Sequence, residues 1–269
     1  MIEERESRAF EARAVAAIAA RGGLLGKPLH VLAETTSTND EAKHAAKAGA
    51  PHGATWVADS QSAGRGRQGR AWISPRRENL LFSVLMRLRC APARLPPLAL
   101  VAGLAARDAV ARALGPGSPH VIGLKWPNDV VVGEKKIAGV LVEATLSGGK
   151  VDAIVVGIGI NVHTRNFPDE IAPIATSLAL LGAAPPDRAE LLADTLASLD
   201  RDMHLAADRG LGLVHARLTQ HDALRGRRVH GELGEGTAEG IDLEGMLLVR
   251  RDDGVRMRWG AGEVHLLAR

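Results

Sequence analysis

At 269 residues, 46% hydrophobic and 24% charged, the chain has an ordinary globular composition and enough length to bury a full core in one large domain or two. The single Cys90 excludes an internal disulfide framework, the ten histidines fall in no HExxH or paired CxxC spacing, and no run approaches the ~18 uninterrupted apolar residues of a membrane span. A net charge of +3 suits acidic small molecules and falls short of a strong nucleic-acid signature; with a charged N-terminus (Glu3, Glu4, Arg5, Glu6) where a leader would be apolar, a soluble, unprocessed, cytoplasmic protein is expected.

Residues 2–21 are alanine-rich and stop at Arg21-Gly22-Gly23, which predicts one helix. The roughly 25 residues before the first strand are too few for a helix-turn-helix DNA-reading domain. A strand is expected over 29–34, and Thr35-Thr36-Ser37-Thr38-Asn39-Asp40-Glu41 then opens a helix, with Thr38 and Glu41 at capping-box spacing. Those hydroxyls could cap the helix, or read a ligand. A second strand over 54–59 leads through Gln61 into Gly64-Arg65-Gly66-Arg67-Gln68-Gly69-Arg70, and a long apolar strand follows over 79–88. Glycines let backbone N–H groups approach a ligand, and each arginine offers a planar fork of donors to carboxylate or phosphate. Taken alone, the stretch is also compatible with a solvated basic turn. With three glycines and three mutually repelling arginines, it is expected to be mobile without ligand.

Leu98–Leu114 carries Leu100, Val101 and Leu104 on one face and Arg107, Asp108 and Arg112 on the other, a helix lying on a sheet. Next, 121–132 reads as two short strands interrupted by the bend Lys125-Trp126-Pro127-Asn128-Asp129, because proline cannot sit inside a central ladder. Gly133–Lys136 is a hairpin turn into a strand over 137–146, in which Gly139 marks a close backbone approach; 151–156 is its partner, running on to Gly157-Ile158-Gly159-Ile160-Asn161. Residues 164–177 read as a surface loop of lid length, and 187–218 as helical. From Gly226 short alternating stretches between glycine turns predict a small antiparallel barrel. The expected division is an N-terminal helical extension (1–25), a catalytic domain (26–225) and the barrel (226–269).

With Ser37-Thr38-Asn39, the Gln61 to Arg70 stretch, Lys125–Asp129, Lys135-Lys136-Ile137-Ala138-Gly139 and Gly157–Val162 in this order, ahead of Gly260-Ala261-Gly262-Glu263-Val264, the chain resembles the biotin–protein ligases in their short form. The resemblance runs from about 29 to the end. It implies an α/β fold with a mixed sheet, an SH3-like C-terminal barrel, and ATP-dependent activation of biotin to biotinyl-5'-adenylate followed by transfer to a lysine of a biotin carboxyl carrier domain. ATP with Mg²⁺ would be the cofactor, no protein-held metal is implied, and neither specific DNA binding nor a membrane is expected.

Residue by residue, the resemblance gives Ser37, Thr38, Gln61 and the Arg65 backbone to the ureido ring, with Asn39 and Gly64 among the further biotin-binding residues. Gly139 and the apolar strand 137–141 would wall the rest of biotin. Arg67, Arg70 and Lys136 would meet carboxylate and phosphate. Trp72, Lys125, Asn128 and Asn161 would serve the adenylate, and Asp129 the incoming lysine. Gln68 departs from members with another arginine there. By spacing alone Lys125 could simply pair with Asp129, and Trp72 could be core. A lipoate ligase or octanoyltransferase of the same fold, and a nucleic-acid-binding repressor, are the alternatives.

Overall fold

The computed structural model describes residues 2–182, 184 and 186–267. Seven strands, β1 (Leu29–Leu32), β2 (Thr55–Ala58), β3 (Leu80–Met86), β4 (Ile122–Lys125), β5 (Asp129–Val132), β6 (Lys135–Ser147) and β7 (Lys150–Ile160), form one sheet in the order β1-β2-β3-β7-β6-β5-β4. Only β1 and β2 run parallel, so the sheet is mixed, as expected.

Alternation along the strands divides the side chains between two layers. Leu80, Phe82, Val84 and Met86 of β3, with Ile154, Val156, Ile158 and Ile160 of β7, face the main core. There they meet α3 (Leu95–Leu114), α4 (Arg188–Arg209) and α1 (Ile2–Arg21). The α1 helix contributes Phe10, Ala14, Ala17 and Ile18 to this core. Burial of Phe10 and Ile18 is worth about 1.5–3 kcal/mol each. On the opposite face Leu85, Ala153 and Val155 pack on Ala42 and Ala46 of α2 (Thr38–Lys47). Because α2 is short, it covers only one end of that face.

Two local expectations fail. Ser37, not Thr38, is the N-cap of α2, and no side chain closes a capping box; the Thr38 hydroxyl turns to Gln61 instead. The helix expected over 187–218 breaks at Gly210, whose φ of +79 is unsuited to a side chain, and resumes as α5 (His215–Gln220).

Beyond α5, residues 221–223 bond to Leu124 along the edge of β4 and lead into β8 (Arg228–Gly231), β9 (Gly234–Ile241), β10 (Leu247–Arg250), β11 (Arg256–Trp259) and β12 (His265–Leu266). These strands form an antiparallel sheet in the order β11-β10-β9-β8-β12. A Cβ on Gly231 of β8 would come 2.9 Å from the Trp259 ring of β11, so the sheet curls in barrel fashion about that indole. Trp126 Nε1 donates to Gly245 O at 2.9 Å, joining the bend after β4 to this sheet. Among the described residues no helix is long and apolar enough to cross a membrane.

Candidate active site

The site lies on the α2 face of the mixed sheet, beyond the helix end. Register sets its floor: Ser83 and Leu81 of β3 stand opposite Gly157 and Gly159 of β7, which stand opposite Leu141 and Gly139 of β6. Glycine is required at the two β7 positions. A Cβ at Gly157 would lie 2.1 Å from Asn39 Oδ1, and one at Gly159 would lie 2.6 Å from the Trp72 indole. The Trp72 ring therefore rests on the glycine floor, with about 40 Å³ of the pocket left open.

At one end the groups are neutral. Ser37, buried at the start of α2, lines the pocket with a hydroxyl that makes no capping bond. Gln61 Oε1 accepts from Thr38 N at 2.7 Å and Thr38 Oγ1 at 3.0 Å. Its Nε2 is turned toward Gly64, where a Cβ would stand 3.0 Å away. Thr38 and Asn39 spend their side chains inside the protein: Ser83 Oγ lies 2.7 Å from Thr38 Oγ1 and 2.5 Å from Asn39 Oδ1, while Asn39 Nδ2 donates to Glu143 at 2.7 Å. These two residues hold Gln61 and the floor in position. Ser83, the buried hub, gives no signal in the sequence because it reads as one more residue of an apolar strand.

The Gly/Arg stretch forms a small hairpin: Gly66 N donates to Arg70 O at 2.7 Å and Trp72 N to Gly64 O at 2.9 Å. Its arginines part company. Arg65 pairs bidentately with Asp40, and Arg70 pairs with Glu263 of the C-terminal sheet. Arg67 makes no ion pair among the described residues; its Nη1 lies 3.5 Å from Asn128 Oδ1, and burial pushes its guanidinium below the ordinary value, partly offset by Asp129 and Glu263. Even so lowered, an arginine stays charged.

Lys136 stands at the junction, with Nζ 2.7 Å from Asp129 Oδ1 and 5.4 Å above the Trp72 ring. The Lys136 contact is an ion pair off the line of a good hydrogen bond, so Asp129 Oδ1 keeps no aligned donor. Lys125 therefore does not take Asp129 as its partner; it lines the adjoining cavity of about 150 Å³ with Arg67, Arg70, Trp72 and Glu263. Asn128 borders both cavities and donates to Val140 O at 2.7 Å. Asn161 is buried just past β7, its N bonded to Ile137 O beside Lys136 and its Nδ2 to Thr176 O. The segment expected to be a lid is thus tied down at its far end, where Lys136 N also donates to Ile174 O.

The donor set suits a metal that arrives on phosphate. Asp129 and Glu263, the two carboxylates among the lining residues of these cavities, are each paired with a cation, so a divalent cation entering here would have to bring its own anionic ligands. Among the described residues one His/carboxylate cluster has metal-like spacing, His52, Asp200 and His204, between the α2–β2 turn and α4. There the Arg87 N–H donates to His52 Nδ1, which fixes the N–H on Nε2 facing the cluster and disfavours a metal.

The profile of the biotin/lipoate A/B protein ligase family matches residues 31–161, and that of the biotin protein ligase C-terminal domain matches 225–267. A bifunctional ligase/repressor BirA from Bacillus subtilis is 31% identical over 233 residues, covering 84% of this chain and 70% of the relative. A biotin–[acetyl-CoA-carboxylase] ligase from Paracoccus denitrificans is 33% identical over 231 residues, covering 82% and 93%. The Aquifex aeolicus biotin protein ligase solved in complex with biotin and ATP superposes with a TM-score of 0.74 at 32% identity, over 90% of this chain and 99% of that one. On this sequence and structural evidence, the chain belongs to the biotin protein ligase family.

Proposed function

We propose that the protein activates biotin with ATP to biotinyl-5'-adenylate and transfers the biotinyl group to a lysine of a carrier domain of acetyl-CoA carboxylase or a related carboxylase, acting in the cytoplasm. The observation that carries this reading is the polarity of the pocket. Neutral donors and acceptors (Ser37, Gln61) stand at one end of a glycine floor and Lys136, paired with Asp129, at the other, with Arg67, which makes no ion pair among the described residues, in the adjoining cavity. That gradient complements a ligand with a neutral polar ring at one end and a carboxylate at the other.

The chemistry follows from charge. A carboxylate attacks the α-phosphate of ATP only where fixed positive charge offsets the repulsion of two anions. In this reading Lys136 bridges the two, Arg67 covers them, and Arg70 is recruited from Glu263 as phosphate arrives. Trp72, shared by both cavities, walls biotin on one side and the adenylate on the other, with Lys125 and Asn128 around the nucleotide; Asn161 lines neither cavity and acts from behind, its buried amide holding Thr176 O beside Lys136. Magnesium, when bound with ATP, supplies further neutralisation of the phosphates. Asp129, released from Lys136 once the pyrophosphate has left, orients the carrier lysine and takes its proton, since an amine must be neutral to attack; the nitrogen then bonds to the biotinyl carbonyl carbon as its bond to the phosphate oxygen breaks and AMP leaves. Residues 26–225 carry this chemistry, with α1 packed on them, and 226–269 supply Glu263.

A lipoate ligase or octanoyltransferase is the weaker reading. Cys90, the one cysteine an acyl-enzyme could use, lines none of these cavities, and burial pushes its thiol up, away from the reactive thiolate. Exchange of labelled pyrophosphate into ATP should depend on biotin and not on lipoate; lipoate-dependent exchange would reverse the assignment.

A further inference from the structure

The first turn of α2 holds the Gly/Arg hairpin by two separate grips. Thr38 fixes Gln61 at the hairpin's base through N and Oγ1. Two residues on, Asp40 takes Arg65 in a fork, with Oδ2 2.7 Å from Nη1 and Oδ1 2.6 Å from Nη2. Arg65 belongs to the near strand of the hairpin and bridges to Ala71 on the far strand, next to Trp72. A constraint on Arg65 is thereby a constraint on the indole that walls the pocket. Asp40 itself lines none of the cavities.

Asp40 is in turn held. Lys43 lies 3.0 Å from Asp40 and 2.7 Å from Glu143 of β6, and Glu143 accepts from Asn39 at 2.7 Å. A continuous chain of charge-assisted contacts therefore runs from the hairpin across α2 to the pocket floor, and such forked arginine–carboxylate pairs fix geometry as well as adding energy. The Arg65 guanidinium beside it holds the Asp40 carboxyl at about 2, so the pair stays ionised at any working pH.

We propose that Asp40 is a positioning residue for biotin activation: by pairing with Arg65 it pre-forms the Gly64–Arg70 hairpin before any ligand is present. This rests on the biotin-ligase reading. Without the pair, the hairpin's three glycines regain conformational freedom, and biotin must bind to the fraction of molecules in which it is closed. Apparent affinity then falls by that fraction.

The test compares wild type with Asp40→Asn, which keeps shape but loses the charge and one acceptor. If the closed fraction drops to about a tenth, the KM for biotin in pyrophosphate exchange rises about tenfold, with kcat within about twofold. Trypsin should cut the ligand-free variant faster at Arg65, Arg67 or Arg70, and saturating biotin with ATP should restore wild-type protection, which general damage to the fold would not allow. Asp40→Glu should recover part of the KM. Should Asp40→Asn fail to fold, Arg65→Lys carries the same test, since a lysine keeps the charge but cannot make the fork. A variant with wild-type KM and wild-type cutting, or one that loses kcat with KM unchanged, overturns the proposal. Wild-type protein that shows no biotin-dependent exchange would instead overturn the biotin-ligase reading.

Discussion

Lys136 is balanced in the free protein by Asp129 at 2.7 Å, so the cation that the first reaction needs is already in place and partly shielded. Lys136→Met keeps most of the volume and deletes the charge. By analogy with losing one preorganised oxyanion donor, biotin-dependent pyrophosphate exchange should fall about 10²–10³-fold, roughly 3–4 kcal/mol, while transfer from preformed biotinyl-adenylate falls less. Wild-type exchange in the mutant would remove Lys136 from the mechanism. Asp129→Asn should show the opposite split, slowing transfer more than exchange; a defect confined to exchange would mean that Asp129 serves only to hold Lys136. The Asp40 carboxyl, depressed to about 2, makes a different statement. A depressed carboxyl contributes stability above its unfolded value and loses it as pH falls through the folded one, so the Arg65 pair should persist at pH 5 and release between about pH 4 and pH 2. Hydrogen exchange at the amides of residues 64–72 reads this directly: unchanged protection down to pH 2 would contradict it.

Among the elements, β7 is where the pocket is made. Gly159→Ala would bring a Cβ within 2.6 Å of the Trp72 indole, so the ring must leave the floor. Biotin binding, followed by calorimetry, should weaken at least tenfold while thermal stability changes little, because the strand's main-core residues Ile158 and Ile160 are untouched. Unaltered biotin affinity would place the ligand elsewhere. The same strand shows what a sequence can and cannot tell. Alternation and turn residues suffice to read the strands, the bend at Lys125–Asp129 and the five stretches of the C-terminal sheet, since these depend on neighbours in the chain. A need for glycine at 157 is imposed by Asn39, and at 159 by Trp72, each remote in sequence, so the Gly-x-Gly there reads only as a weak signal. Thr38 is the converse case. Local spacing predicts a capping box with Glu41, yet Gln61 and Ser83 claim the hydroxyl and Glu41 accepts from Thr35 at 2.6 Å. Long-range contacts outbid a local one worth about 1 kcal/mol. The mutual repulsion of the three loop arginines likewise disappears once Asp40 and Glu263, invisible as partners in the sequence, take two of them.

Across the whole molecule the two sheets meet through the linker, where Asp222 accepts from Leu224 N at 2.9 Å through Oδ1 and buries Oδ2 with no well-aligned donor among the described residues. Burial pushes this carboxyl up. A carboxyl raised in the folded state costs stability only where the unfolded chain would ionise it, above about pH 4, and costs nothing below. Asp222→Asn should therefore raise Tm at pH 8 and lose that advantage near pH 4; a lower Tm at both would show the charge to be compensated. At the other end of the chain α1 spends its apolar face on the core, so duplex DNA should be bound only non-specifically, on the order of 10⁻⁴–10⁻⁶ M at physiological salt, as read by titration against random and palindromic duplexes. A nanomolar, sequence-selective complex would contradict this. Whether this polar-to-cationic site both activates biotin and delivers it is read by intact-mass spectrometry of a purified biotin-carrier domain incubated with this protein, biotin and Mg-ATP. One biotinyl group on a single lysine, absent without biotin or ATP and formed about 10²–10³-fold more slowly by Lys136→Met, is the predicted result; an unmodified carrier, or one modified equally well by lipoate, would contradict it.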